Sequence, residues 1–446
     1  MTDNTIKFGT DGVRGHADHH PFTQESLQRL GLAIGGWATK KYLRPRPKML
    51  LGHDTRLSCG RIKEQLFEGL KRFPLDIIDA GVLPTPSVCQ LINNDESFDF
   101  GIVISASHNP YFDNGIKIFD ARLCKITTQD EITITDNFAF GPIHFEGFDT
   151  PQARITPWQE AGHEYMKLIT GYFSPHFLQG IRVVLDCAHG ATAVLAPAIL
   201  RHFGAEVITV AVEPNGYNIN EQCGSTYPHH LHKHLLTHNA HVGFAFDGDG
   251  DRIVAVNCHG QLKDGDDILA LLLQLSEFSA ATGIVGTLMT NRGLEDMLVR
   301  AGKKLLRTKV GDKHVVAGLE SYNLALGGEP SGHIILRDYL MSSEGILIAL
   351  KVLESMVYHH NWEMKSFEKY PQVLINVPVR MKRDLTEKPC SQVIQEYEAS
   401  LSEGRILVRY SGTENLLRVM TEALTEEKAK QVAYELAQRL QALLNE

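Results

Sequence analysis

Cysteine is sparse and scattered in these 446 residues: there are seven, at positions 59, 89, 124, 187, 223, 258 and 390, and no two are spaced C-x-x-C. An odd, dispersed set supports neither a disulfide framework nor a zinc site and fits a reducing cytoplasm, the expected location. Long apolar runs are missing as well. The longest, ILALLL at 268–273, is far too short to cross a bilayer, and the opening MTDNTIKFGTDG has no apolar signal region, so neither a membrane partner nor export is expected. No compact Lys/Arg run relieves the net charge of −9, which argues against a nucleic-acid partner and leaves any anionic substrate to a few placed cations. P-loop, H-E-x-x-H and strand-following G-x-G-x-x-G motifs are absent, removing the common nucleotide-binding and zinc-protease chemistries. Low-complexity tracts are absent too, and 43% hydrophobic with 22% charged residues is ordinary for a folded chain about three average domains long.

What is present repeats a pattern. GIVIS runs into ASHNP, HVGFAF into DGDGDR, and LALGG into EPSGH: each time an apolar, strand-like stretch ends in a glycine-punctuated polar loop. Helical patterns such as RIKEQLFEGLKRF lie between them, an alternation that predicts α/β units with ligands at the strand ends. The C-terminal stretch reads differently. QVLINVPV, RILVRY and LLRVMTEA are strands, a helix lies near 389–402, and a long helix starts at Thr425, making a small α+β layer beyond a boundary at about 366–371.

DGDGDR is the sharpest local signal. Three carboxylates at alternate positions, Asp247, Asp249 and Asp251, with glycines between them, can fold around one hard cation such as Mg²⁺ or Ca²⁺; a solvated acidic turn is the plainer reading, but carboxylates packed this tightly repel unless a cation gathers them. An EF-hand is excluded by Arg252 and Cys258, which stand where that loop needs Gly and Glu. SASHNP alone could be a simple strand-to-turn connection, and Ser107 beside His108 does not make a protease triad. A serine near a divalent-cation site is instead the arrangement for phosphoryl transfer. Arg14 in FGTDGVRG and Lys117 in NGIKIF are candidate cations, although a surface charge is the commoner fate of each taken alone. RYSGTENLLR offers the turn Ser411-Gly412-Thr413 flanked by Arg409 and Arg418, a nest for a phosphate or a plain hairpin turn. His230, His234 and His238 share one helical face, which a polar surface explains as well as a metal does.

Taken in order, FGTDGVRG, GHDTR, SASHNP with DNGIKIF, DCAHGA, NINEQCGST, DGDGDR, VGDKHV, GGEPSGH and RYSGTE resemble the α-D-phosphohexomutase superfamily over almost the whole chain. FGTDGVRG, NINEQCGST and VGDKHV are most similar to its phosphoglucosamine mutase branch. The resemblance implies three tandem α/β domains with mixed sheets (1–153, 154–253, 254–368) and a C-terminal α+β domain (369–446) around a central cleft. It implies that Ser107 is a resting phosphoserine, that Asp247, Asp249, Asp251 and an oxygen on Ser107 bind one Mg²⁺, and that a sugar 1,6-bisphosphate serves as intermediate and activator. Arg14, Lys117 and His108 are then expected at the reacting oxygens, with Lys117 preferred over the guanidinium for acid/base work. Glu329, Ser331 and His333 are expected at the sugar, and Arg409, Ser411, Gly412, Thr413 and Arg418 at the idle phosphate. The expected substrate is a hexosamine phosphate, the product feeding UDP-N-acetylglucosamine synthesis, and the expected assembly a monomer or homodimer. Pro330, Asn415 and Glu344 depart from the usual forms of their loops and weaken the choice of sugar. A phosphoglucomutase/phosphomannomutase stays open. So do a phosphatase of the haloacid dehalogenase type, to which strand-FDGDG is also similar and whose nucleophile would be Asp247, and a non-catalytic sugar-phosphate sensor.

Overall fold

The computed structural model describes residues 5–9, 11–141, 152–380, 382–411 and 415–445. Its strands form four sheets in chain order. The first has six strands, in spatial order Val13–His16, Asp113–Asp120, Phe100–Ile104, Lys48–His53, Asp76–Val82 and Arg154–Pro157. Phe100–Ile104 is buried throughout, as its unbroken apolar run predicts, and runs parallel to Lys48–His53 on one side and antiparallel to Asp113–Asp120 on the other. On one face the helices Gln24–Lys41 and Ser58–Leu70 touch at glycines: a Cβ on Gly31 would sit 2.2 Å from the Leu66 carbonyl oxygen, so any side chain there would force them apart.

The second sheet has five strands, ordered Leu262–Lys263, Ile253–Asn257, Val242–Phe246, Arg182–Asp186 and Glu206–Val210, and the third has four, ordered Lys304–Thr308, Gly283–Thr287, Leu326–Gly328 and Ile334–Leu336. Two expected boundaries fall inside sheets. Arg154–Pro157 pairs with Asp76–Asp79 at the edge of the first sheet, and Ile253–Asn257 stays in the second. The fourth sheet is antiparallel, Gln372–Pro378, Leu416–Ala423 and Gly404–Tyr410, covered by the helices Cys390–Ala399 and Glu426–Asn445. Thr425 caps the last helix by accepting from Lys428 N at 3.2 Å, and Ala429, Val432, Ala433, Leu436 and Leu440 face the sheet.

Burial divides the molecule unequally. One apolar core runs without a break from Leu50 and Val103 in the first unit through Leu185 and Phe244 in the second to Ile284 and Ile346 in the third. The C-terminal unit keeps its own core around Val377, Val419, Leu436 and Leu440. Three units are therefore welded by apolar packing, and the fourth joins them by polar contacts described below. Among the described residues no helix is long and apolar enough to cross a membrane.

Candidate functional site

The three strand-end loops picked out by pattern meet at one place. Ser107, at the end of Phe100–Ile104, is buried and sits in the left-handed region at φ 54°, which a non-glycine residue keeps only where its surroundings enforce it. Those surroundings are visible. Ser107 N donates to Ser105 Oγ at 2.9 Å, Ser105 Oγ donates to Asp54 Oδ2 at 2.6 Å, and the Ser107 carbonyl accepts from Arg56 Nη2 and Asn220 Nδ2, both at 2.9 Å. Arg56 is itself fixed by a fully buried ion pair to Asp54 at 2.8 Å. The result aims the hydroxyl at the second unit: Ser107 Oγ donates to Asp247 Oδ2 at 2.5 Å, with His108 Nδ1 at 3.3 Å.

Asp247, Asp249 and Asp251 are buried, and an oxygen from each lies within 4.8 Å of the other two, the one group of this kind among the described residues. The loop is gripped from both sides. Thr85 of the first unit donates its hydroxyl to Asp249 Oδ2 at 2.5 Å, while Ser343 and Gly345 of the third bond the Asp251 and Gly250 carbonyls at 2.6 and 3.0 Å. Burial, and then repulsion from Asp251, push the carboxyls of Asp247 and Asp249 up, Asp247 well above the ordinary range. Asp251 goes down despite burial, because Lys117 and His333 lie beside it. Asp249 Oδ1 and Asp251 Oδ1 are buried without hydrogen-bond partners. Two unsatisfied hard oxygens and two carboxyls strained by mutual repulsion fit a small divalent cation.

Lys117 is buried, not a surface charge, and its ammonium touches Asp11 Oδ2 at 2.6 Å, Asp249 Oδ2 at 2.8 Å and Asp251 Oδ2 at 3.0 Å. Burial pulls its pKa down, but those three carboxylates outweigh it and hold it well above the usual lysine value. Arg14 donates to Asp11 Oδ2 at 2.9 Å, and its pKa too is raised by Asp11, Asp249 and Asp251 against the effect of burial. Burial, then Arg252 and Arg14, push His108 down to about 4, so its ring is neutral at pH 7.

The sugar-loop candidates lie next to this cluster. Buried Glu329 accepts from Gly311 N at 2.9 Å, and His333 stands 4.0 Å from Asp251 and 3.8 Å from Asp312, whereas Ser331 is exposed. In the C-terminal unit Arg409 faces Arg418 across neighbouring strands, and Ser411, buried, bonds back to the Leu416 carbonyl at 2.8 Å. Burial and the neighbouring Arg418 push the Arg409 pKa down. Gly412 and Thr413 lie outside the described residues. The histidine tract forms the helix Leu231–His238, and an acidic partner that its sequence did not suggest is supplied by the fold: His230 Nε2 lies 2.9 Å from buried Asp186.

Sequence reasoning did not single out Asp11, Asp54, Arg56, Thr85, Lys125, Asn220 or Asp312. Asp54 and Arg56 belong to GHDTR and Asp312 to VGDKHV, strings whose charges had no assigned task and so carried a usable signal. Lys125 ties the first unit to the third through Asp312 and lies 3.5 Å from Asp11. Thr85 had no local signal at all.

The chain matches known proteins along nearly its whole length. The models of phosphoglucomutase/phosphomannomutase domains I, II, III and C-terminal match residues 5–141, 163–260, 264–372 and 374–439. A phosphoglucosamine mutase from Zymomonas mobilis is 40% identical over 424 residues, covering 93% of this chain and 94% of that protein. One from Lawsonia intracellularis is 39% identical, covering 96% and 97%. Among solved structures, a phosphoglucomutase/phosphomannomutase family protein from Burkholderia thailandensis superposes with TM-score 0.81 at 20% identity, covering 99% of this chain and 98% of that one. The N-acetylphosphoglucosamine mutase of Aspergillus fumigatus, solved with GlcNAc-6P and magnesium, does so with TM-score 0.67 at 16% identity, covering 99% and 96%. With four domain models matched in order and such identity over nearly its full length, the chain belongs to the phosphoglucomutase/phosphomannomutase family, in the branch of the phosphoglucosamine mutases.

Proposed function

We propose that this chain is an isomerase that interconverts glucosamine 6-phosphate and α-glucosamine 1-phosphate, with Ser107 as the phosphoryl carrier. The observation that carries the reading is the Ser107 hydroxyl 2.5 Å from Asp247, inside a carboxylate cluster that also holds Lys117. Moving a phosphate between two hydroxyls of one sugar is easier when a second phosphate is lent first. Phosphorylated Ser107 gives its phosphoryl group to the free O1 of the 6-phosphate, leaving a 1,6-bisphosphate and a free serine. The bisphosphate turns end for end in the cleft. Ser107 Oγ then takes the phosphoryl group from O6, and the 1-phosphate departs.

Each step assigns work to residues already placed. Asp247 Oδ2 accepts the hydrogen bond of the unphosphorylated Ser107 hydroxyl and thereby orients Oγ. Lys117 and Arg14, held cationic by Asp11, Asp249 and Asp251, fix positive charge beside the transferring oxygens. Position, not acidity, makes Lys117 the candidate proton donor to the departing oxygen: its ammonium lies among Asp11, Asp249 and Asp251 beside the Ser107 site. Glu329, pinned by Gly311, accepts from ring hydroxyls, with His333 beside it. Arg409, Ser411 and Arg418 hold the phosphate that is not reacting. Asp247, Asp249, Asp251 and an oxygen on Ser107 would hold Mg²⁺, which neutralises charge on the phosphoryl oxygens.

Glucosamine phosphate is expected to be preferred over glucose or mannose phosphate by at least about tenfold in kcat/KM, ~1.4 kcal/mol of discrimination. Competition kinetics with enzyme fully phosphorylated at Ser107 check this. Equal or better kcat/KM with glucose 1-phosphate or mannose 1-phosphate moves the substrate to another hexose while leaving the phosphoserine chemistry intact.

A further inference from the structure

The segment Ser343-Glu344-Gly345 opens the helix Gly345–His359 and touches two chemistry-bearing loops at once. Ser343 Oγ, fully buried, donates to the Asp251 carbonyl at 2.6 Å and accepts from Ile334 N at 2.8 Å, one residue past His333. Gly345 N donates to the Gly250 carbonyl at 3.0 Å, and a Cβ at Gly345 would lie only 2.8 Å from that oxygen. The same two loops also meet directly, where Ile253 N donates to the Gly332 carbonyl at 3.1 Å.

Glu344 makes this junction specific. Its carboxylate accepts from Ile346 N at 3.1 Å and Leu347 N at 2.7 Å, satisfying two of the helix's unpaired donors and leaving that of Gly345 for the Asp loop. The buried hydroxyl of Tyr165, from the helix Ala161–Thr170, donates to Glu344 Oε1 at 2.9 Å and fastens the cap to the second unit. Burial lifts the Glu344 carboxyl to about 7, against the pull of Tyr165 and the two amides, so these donors are what sustains a buried acid here.

We propose that Ser343 and Glu344 are positioning residues that hold the Asp247–Asp251 loop and the Glu329–His333 loop in one register, so that the cation-binding carboxylates and the sugar-reading residues address a single substrate. The inference rests on the phosphomutase reading. Neither residue touches the reacting atoms; each acts through backbone groups of the loops that do.

The test titrates Mn²⁺, read by its paramagnetic resonance signal, into purified full-length wild type, Asp249→Ala, Ser343→Ala, Glu344→Ala and Glu344→Asp, and measures kcat and KM on the same preparations. Ser343→Ala and Glu344→Ala are expected to weaken Mn²⁺ binding by about tenfold or more, the usual cost of removing groups that support ligands, and to lower kcat more than they raise KM. Glu344→Asp, which keeps a capping carboxylate, is expected to recover affinity to within about threefold of wild type. Should Glu344→Ala fail to fold, Ser343→Ala, which deletes one oxygen, decides the matter alone. Wild-type binding that is lost in Asp249→Ala but unchanged in Ser343→Ala overturns this proposal and leaves the metal site standing. Wild type that binds no Mn²⁺, or binds it equally in Asp249→Ala, overturns the site reading and this proposal together.

Discussion

At the Ser107 junction, side chains from different units are already in contact: Ser107 on Asp247, Thr85 on Asp249, Lys117 on Asp249 and Asp251, at 2.5 to 3.0 Å and with almost no exposure. The strands that carry Arg409 and Arg418 in the C-terminal unit are arranged otherwise. Arg409 and Arg418, half-buried, face each other as like charges on adjacent strands, and their unit has a separate core. It is tied to the third unit by polar links, Arg405 to the Leu288 and Thr290 carbonyls at 2.7 Å and Arg292 N to Glu422 at 3.1 Å. Opposite charges packed dry do chemistry only if their geometry is fixed in advance, whereas paired guanidiniums gain most when a dianion enters between them. The difference fits the proposed division, with transfer at the first region and retention at the second. A polar seam also suits a unit that shifts to let an intermediate turn round.

Removing the carrier should separate the two regions most sharply. Ser107→Ala is expected to lose mutase turnover by at least about 10³-fold, because the covalent route disappears, while binding of a sugar phosphate to the C-terminal loop persists. Steady-state kinetics with equilibrium binding check both halves, and substitutions at His108 or Ser105 should cost less. Near-normal turnover in Ser107→Ala would contradict the assignment.

Next in size is the cation site. Alanine at Asp247, Asp249 or Asp251, or treatment with EDTA, should cut turnover by about 10²-fold or more, since each removes a hard oxygen or the ion itself. Restoration by added Mg²⁺ after chelation, with no restoration in the variants, is the expected pattern. Indifference to EDTA would place the catalytic charge on Lys117 and Arg14 alone.

The smallest effect sharpens the retention side. Arg418→Ala should raise KM for the monophosphate by about tenfold with little change in kcat, because a contact to the non-reacting phosphate is similar in ground and transition states. Free bisphosphate should then accumulate in the medium, measurable by quenched-flow chromatography. Unchanged KM with no escaped intermediate would break the comparison at this end.

Much of this arrangement was legible in the sequence, for local reasons. SASHNP, DGDGDR and EPSGH announce themselves because an apolar strand stops at glycine-rich polar residues, and the C-terminal unit because its strands and its amphipathic last helix are strongly patterned. Contacts made across the fold were not legible. Thr85 and Asp249 are 164 residues apart, and Lys125 and Asp312 are 187 apart, so nothing near either partner foretells the pairing. Lys117 shows the same limit: as sequence it is a lysine in a strand, and only the convergence of Asp11, Asp249 and Asp251 makes it a buried, fixed charge. His230 found its acid, Asp186, by the same long-range route.

The central claim is that the phosphoryl group resides on Ser107. Incubating the purified chain with glucosamine 1,6-bisphosphate and Mg²⁺, then mapping phosphopeptides by mass spectrometry under conditions that preserve acyl phosphates, tests it directly. The predicted result is one phosphate on the SASHNP peptide, at Ser107, discharged on addition of glucosamine 6-phosphate. Phosphate on Asp247, or on no residue, would contradict it.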